Sequence, residues 1–329
     1  MFIPPDFFRE DYAAKVWRTS LLIVFVLVIS ACSTLKPSPP TVSSSAKMPT
    51  VALVLGGGGA KGFAHVGVIK ALEANGITPT WVVGTSVGSL VGSLYASGMT
   101  PKALERLALT TPDSALTDFT LSNQGFVEGI KLKNFINTHV GGQSIEDFPI
   151  RFAAIATEKN TLKKTVFTTG NVGLMVQASC SVPNVFIAPR IPEKVGKKYI
   201  DGGVVSLVPV DSARDLGADI IIAVDVTEPS KIKNNATLPR LNSLSSFWGL
   251  LEATVSSNVS GTNTTQGSMM RDERQRADIV IIPNVGHISS LDTSQRQALI
   301  TAGTQATTPQ INAIKQLIKD KTKSKYATL

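Results

Sequence analysis

Gly84-Thr85-Ser86-Val87-Gly88 is a G-x-S-x-G stretch set between the apolar run Thr80-Trp81-Val82-Val83 and a helix-like segment from Val87 to Ala96. A serine on a sharp strand-to-helix turn is held in a strained conformation with its hydroxyl presented. The residues two before and two after it must then lack side chains, so that backbone and substrate can approach. Gly84 and Gly88 meet that requirement. The helix starting after Ser86 also aims free N–H groups and its positive dipole end at any anion formed beside the hydroxyl. Ser86 is the candidate nucleophile, and a Gly/Ser turn that merely packs a helix on a strand is the bland alternative.

A second group, Gly57-Gly58-Gly59-Ala60-Lys61-Gly62, follows the apolar run Val51-Ala52-Leu53-Val54-Leu55. G-x-G-x-x-G after a strand is also the dinucleotide fingerprint, which requires an Asp or Glu about 20 residues on to hold a ribose hydroxyl. The next strand ends instead at Trp81-Val82-Val83-Gly84-Thr85-Ser86. A phosphate-cradling P-loop fails too, because Lys61 is followed by Gly62 and not by Ser or Thr. What remains is a glycine-lined loop of N–H groups beside the serine, suited to a developing oxyanion.

A serine hydroxyl also needs a base. His65 falls inside the first helix, His139 in an irregular stretch, and Cys180 reads as a small core residue. His287, after a strand, completes the triad order Ser86, Asp201, His287 of an α/β-hydrolase. The competing base is Asp201 itself, at a strand end and followed by Gly202-Gly203.

These residues need elements to hold them. Two strand–loop–helix units follow each other, Val51–Leu55 into Phe63–Ala74 and Ile77–Val83 into Val87–Ala96, each with a glycine-bearing turn where the strand ends. Further apolar strands are expected at 152–157, 164–168, 219–226 and 277–282, with a short helix at 172–178. Thr308 and Pro309 should cap and start a final helix with Ile311, Ile314, Leu317 and Ile318 on one face. Short apolar strands alternating with helices imply an α/β fold with a mainly parallel sheet, whose ligands gather beyond the carboxyl ends of the strands. The segments 112–150 and 229–249 are polar and irregular and are expected to be loops or a lid.

Gly57-Gly58-Gly59-Ala60-Lys61-Gly62, Gly84-Thr85-Ser86-Val87-Gly88 and Asp201-Gly202-Gly203, in this order, resemble the patatin-like phospholipases. Ala178-Ser179-Cys180-Ser181-Val182-Pro183 is similar to the small-residue helix end that precedes the family's Asp-Gly motif. The resemblance implies a three-layer α/β/α fold and a Ser-Asp dyad without histidine, acting on lipid acyl esters. Carried over, Ser86 is the nucleophile and Asp201 its base, with the N–H groups of Gly57, Gly58 and Gly59 as the oxyanion hole. Lys61 stands where many relatives have arginine, and Leu55-Gly56 replaces the family's frequent Asp before the glycines. Such chemistry needs no cofactor and no metal.

The 329 residues, 43% hydrophobic, can bury a large core. The formal charge of +8 is scattered, which argues against nucleic acid; only Lys315, Lys319, Lys321, Lys323 and Lys325 cluster, as expected of a solvated tail. At the other end, Lys15 and Arg18 precede the apolar run Leu21 to Ile29 and the small residues Ser30-Ala31. That is an export signal, with an apolar run too short for a membrane span of about 20 residues. Ile29-Ser30-Ala31-Cys32 resembles the lipobox of bacterial lipoproteins. The resemblance implies cleavage after residue 31, lipidation of Cys32, and, with Ser33 behind it, an outer-membrane lipoprotein facing the periplasm. Residues 32–49, rich in Pro and Ser, read as a tether to a folded domain at 50–325. The expected partners are membrane lipids, with no nucleic acid and no obligate protein partner.

Overall fold

The structure is a computed structural model that describes residues 48–120, 122, 124–227 and 272–327. The expected signal peptide, Cys32, most of the tether and the 229–249 segment lie outside the described residues. Val51–Leu55 (β1) and Trp81–Thr85 (β2) are buried along their whole length, because a parallel strand is covered on both faces. Between them runs Phe63–Glu73 (α1), and Val87–Ala96 (α2) follows β2. Pro101–Thr110 (α3) and Ile130–His139 (α4) then lead to Arg151–Glu158 (β3). Lys164–Phe167 (β4), Val172–Ser179 (α5), Arg190–Ile191 (β5), Lys197–Asp201 (β6) and Val210–Asp215 (α6) come next. Ile220–Val224 (β7), Ile279–Ile281 (β8), Arg296–Thr307 (α7) and Ile311–Ala327 (α8) complete the chain.

The strands form one sheet in which hydrogen-bonded pairs link β5 to β6, β6 to β3, β3 to β2, β2 to β1, β1 to β7 and β7 to β8, with β4 also on β3. The stretch from β3 to β8 is parallel, and the pairs made by β4, β5 and β6 are antiparallel. Residues alternate between faces. Leu53, Leu55, Val82, Phe152 and Ile222 join the core under α1, α2, α3, α4, α5, α7 and α8. Ala52, Val54, Val83, Ile155 and Ile221 face the opposite layer, whose described helix is the short α6. Each fully buried Leu, Ile or Val contributes about 1.5–3 kcal/mol of burial.

β3 is the pivot for the site. Arg151 to Ile155 pair with β2, while Ala154 to Thr157 pair with β4, so β2 and β4 occupy opposite edges. Ala156 to Glu158 pair with β6 on the edge left by β2, since β4 holds the other. β2 runs along β3 and ends at Thr85 opposite Ile155; β6 runs the other way and ends at Asp201 opposite Ala156. Two strands therefore meet head-on with their carboxyl ends together.

Three expectations change. The segment 112–150 contains α4, with Leu132 and Ile136 buried, so it is not irregular throughout. Thr308 does not cap the last helix: α7 runs directly into the turn Thr308–Gln310, and the Thr308 hydroxyl donates to Thr304 O instead. The C-terminal lysines up to Lys323 sit on α8 and not on a frayed tail, because Ile311 and Ile314 anchor that helix to the core. No helix among the described residues is long and apolar enough to cross a membrane.

Candidate active site

Ser86 follows β2 at φ 53° and ψ −127°, a conformation rare for a residue with a side chain. Distant parts of the chain hold it there. Its N–H donates to Ser179 Oγ at 2.9 Å, whose own hydroxyl donates to Ile155 O at 2.5 Å. Thr85 Oγ1 donates to Ser206 O at 2.9 Å. The flanking glycines are needed for space: a Cβ on Gly84 would lie 2.5 Å from the Gly88 carbonyl, and one on Gly88 only 2.0 Å from Leu55 O. Behind Ser86, the first N–H groups of α2 have no intrahelical acceptor.

Asp201 closes β6 and is fully buried. Its backbone is fixed on both sides: the N–H donates to Ser181 O at 2.8 Å, and the carbonyl accepts from Thr157 Oγ1 at 2.9 Å. Oδ1 accepts from Gly203 N–H at 2.7 Å, while Oδ2 has no hydrogen-bond partner among the described residues. Burial pushes the carboxyl up to about 7, against the opposing pull of the Ser86 hydroxyl and the Gly203 N–H. The Ser86 hydroxyl thus acts on the Asp201 carboxyl at close range, although no direct bond between them meets ordinary hydrogen-bond geometry. Gly202 lies against β3, where a Cβ would sit 2.3 Å from Ile155 O.

The glycine loop is pinned by its backbone. Gly56 N–H donates to Val224 O, Gly57 N–H to Leu207 O and Ala60 N–H to Ser290 O, at 3.1, 3.0 and 2.7 Å. Gly57 was expected as an oxyanion donor, but its N–H is already engaged with Leu207. Gly58 and Gly59 remain, with no acceptor among the described residues, and Gly59 takes φ 56°. Gly62 packs on Val87, whose Cγ2 a Cβ there would meet at 2.3 Å. The Lys61 ammonium is half-buried, and desolvation lowers its pKa against the field of Asp225.

Of the histidines, only His65 touches this machinery. Its buried Nε2–H donates to Gly56 O at 2.8 Å, Nδ1 has no hydrogen-bond partner among the described residues, and burial lowers its pKa to about 4, so the ring is neutral. His139 ends α4, exposed, with Nδ1 on Phe135 O. His287 is exposed and hydrogen-bonds neither Ser86 nor Asp201. Cys180 is buried, its thiol pushed up by desolvation and by the charge of Asp201, so it is not a thiolate. Among the described residues no cluster of three or more His, Cys, Asp or Glu is placed to hold a metal ion. Ser179 was visible in the sequence only as one small residue of a helix end. Its place under Ser86 N–H depends on how α5 packs on β3.

Residues 53–214 match the family described as patatin-like phospholipase. The chain carries a patatin-like phospholipase domain. It is 36% identical over 208 residues to "Lysophospholipase nte1" of Aspergillus fumigatus, an alignment covering 61% of this chain and 13% of the fungal protein. It is 34% identical over 180 residues to an uncharacterized NTE family protein of Mycobacterium tuberculosis, covering 54% of this chain and 49% of that one. The patatin-like chain therefore spans half the length of these relatives or less. The solved structure of VipD from Legionella pneumophila shares the fold at a TM-score of 0.57 and 14% identity, over 81% of this chain and 67% of that one. The three-layer α/β patatin-like fold with its mainly parallel sheet is thus established.

Proposed function

We propose that the domain hydrolyses acyl esters of membrane lipids, of phospholipase A or lysophospholipase type, with Ser86 as nucleophile and Asp201 as its base. The observation that carries this reading is the head-on meeting of β2 and β6 along β3, which sets Ser86 beside a buried carboxyl with a pKa near 7. A base poised there can take a hydroxyl proton and return it. The names of the relatives support the lipid class.

Ser86 Oγ attacks the ester carbonyl as its proton passes to Asp201 Oδ2. The tetrahedral O⁻ is held by the N–H groups of Gly58 and Gly59 and by the start of α2. Collapse breaks the ester C–O bond, and Asp201 gives its proton to the departing alcohol. Water then attacks the acyl-serine while Asp201 takes its proton, and the fatty acid leaves as Ser86 is reprotonated. The exposure of His287 favours this dyad over the triad.

A fluorophosphonate should label Ser86 covalently, and defined phospholipids, lysophospholipids and neutral esters should be hydrolysed by the wild type but not by Ser86→Ala or Asp201→Asn. Activity surviving in both variants would break the assignment; near-complete loss in His287→Ala would restore the triad. We further infer an envelope lipoprotein tethered through Cys32, on the strength of the lipobox. Radiolabelled palmitate incorporated by the wild type and equally by Cys32→Ala would contradict it.

A further inference from the structure

A cavity of about 200 Å³ opens beside the site. Gly59 of the oxyanion loop and Val87, the residue after Ser86, are in its wall, while Ser86 and Asp201 are not. It therefore begins one residue away from the reacting atoms. Val87, Leu90 and Leu94 line it in succession along one face of α2, the three-and-four spacing that places side chains in a row. That row leads about 10 Å away from the nucleophile at 1.5 Å per residue. Leu107 of α3 and Phe135 of α4 form further wall.

The charged side chains at its edge are already paired. Arg296 donates to Ala108 O at 2.9 Å, Thr111 O at 2.5 Å, Thr293 O at 3.0 Å and Asp113 Oδ1 at 2.6 Å. Its guanidinium also lies 5.1 Å from the Phe63 ring centroid. Asp113 Oδ2 accepts from the Thr293 hydroxyl at 2.6 Å. Arg296 thereby ties the end of α3, the following turn and the start of α7 into a rim, with four of its five N–H groups engaged by these acceptors. A phosphate or other anionic headgroup would meet a guanidinium whose charge is already paired with Asp113, whereas a hydrocarbon would meet mostly apolar walls, and apolar cavities of this order take apolar guests.

We propose that this cavity is the acyl-chain site. A carbonyl held between Gly59 N–H and Ser86 Oγ sends its tail past Val87 along Leu90 and Leu94 toward Leu107 and Phe135. At roughly 30 Å³ per water-sized group, about six to seven carbon atoms are enclosed. The assignment rests on Ser86 being the nucleophile, but it makes a separate claim about chain length.

Two measurements separate the claims. Wild type is assayed on p-nitrophenyl esters of two to sixteen carbons, and Ser86→Ala protein is titrated calorimetrically with butyrate and octanoate. kcat/KM should rise by up to about fourfold per methylene until roughly eight carbons and then level, and octanoate should bind at least about tenfold more tightly than butyrate. Leu107→Trp, which fills the cavity, should lower the octanoyl-to-acetyl ratio by about tenfold or more. Leu107→Ala, which enlarges it, should move the levelling point to longer chains and provides the test if the tryptophan variant does not fold. A profile flat in chain length, or one unmoved by both variants, overturns the acyl site and leaves the chemistry of Ser86 standing. Octanoate binding that is lost on adding Leu107→Trp, in a protein that hydrolyses no ester, sustains the cavity and removes the hydrolase.

Discussion

The turns after β1 and β2 are neighbours on the same sheet edge, both rich in glycine, yet they present different things. The turn at Ser86 presents a side chain. It is shaped by steric exclusion, with Gly84 and Gly88 removing atoms that would collide with Gly88 and Leu55, and by the Ser179 hydroxyl beneath Ser86 N–H. The turn at 56–62 presents backbone N–H groups. It is shaped by which N–H groups are already taken: those of Gly56, Gly57 and Ala60 are bonded elsewhere, so those of Gly58 and Gly59 are left. One turn is specified by missing side chains, the other by carbonyls from elsewhere in the fold.

The largest test removes what the second turn presents. Ser86→Ala should leave the fold intact by near-UV circular dichroism and reduce ester hydrolysis by at least about 10⁴-fold; a folded variant retaining a tenth of the activity would end the comparison. On the first turn, a Cβ at Gly58 would lie 2.3 Å from Val226 Cγ2. Gly58→Ala should displace the loop and lower kcat by about 10²–10³, the cost of one oxyanion donor, with fluorophosphonate labelling slowed in proportion. If labelling is unaffected, the loop is not the oxyanion hole.

The base adds a pH signature that the loop lacks. In the proposed mechanism Asp201 must be ionised to accept the proton, so kcat/KM should fall as pH drops through about 7, by roughly 100-fold between pH 8 and pH 5. Its stability effect has the opposite sense. Because the folded pKa is raised from 3.8, the native state binds the extra proton between about pH 4 and pH 7, and stability falls as pH rises across that window. The advantage of Asp201→Asn over wild type in unfolding free energy, read by denaturant titration, should therefore grow from pH 5 to pH 8, on the order of a few kcal/mol. An advantage independent of pH would mean that Asp201 is not the titrating group.

The smallest effect concerns the support of the loop. His65 Nε2–H holds the Gly56 carbonyl, so His65→Leu should cost about twofold to tenfold in kcat, the worth of one hydrogen bond, and His65→Gln, which keeps a donor, should recover part of it. Since the ring is already neutral, neither variant should move the pH profile near 7. A moved profile would make His65 part of the proton path.

Much of this was legible in the residues. The apolar runs at β1, β2 and β7 and the glycines at 84 and 88 identify themselves by composition and spacing, because burial, crowding within a turn and strand periodicity are local demands, whereas spacing alone leaves Asp201 and His287 as rival bases and only the family resemblance favours the acid. The helices α3 and α7 are less plain in the sequence. The start of α3 was available in Thr100 and Pro101, where the threonine caps the helix by accepting from Ala103 N–H. That of α7 was not, because Gln295 provides no side-chain cap. Likewise Arg296, which rims the cavity, looks in sequence like any surface arginine.

By itself the sequence determined that a serine would stand on a glycine-flanked turn after a buried strand, beside a second glycine turn, because those features depend on neighbours within a few residues. Only the tertiary structure decided that Gly57 is not a free donor, that His287 stays outside, that Asp201 arrives head-on against Ser86 with its pKa raised, and that an apolar cavity adjoins them. Each of these depends on atoms brought from far along the chain, such as Ser179 at 93 residues from Ser86 and Ser206 at 121 from Thr85, and on the exclusion of water that only packing achieves.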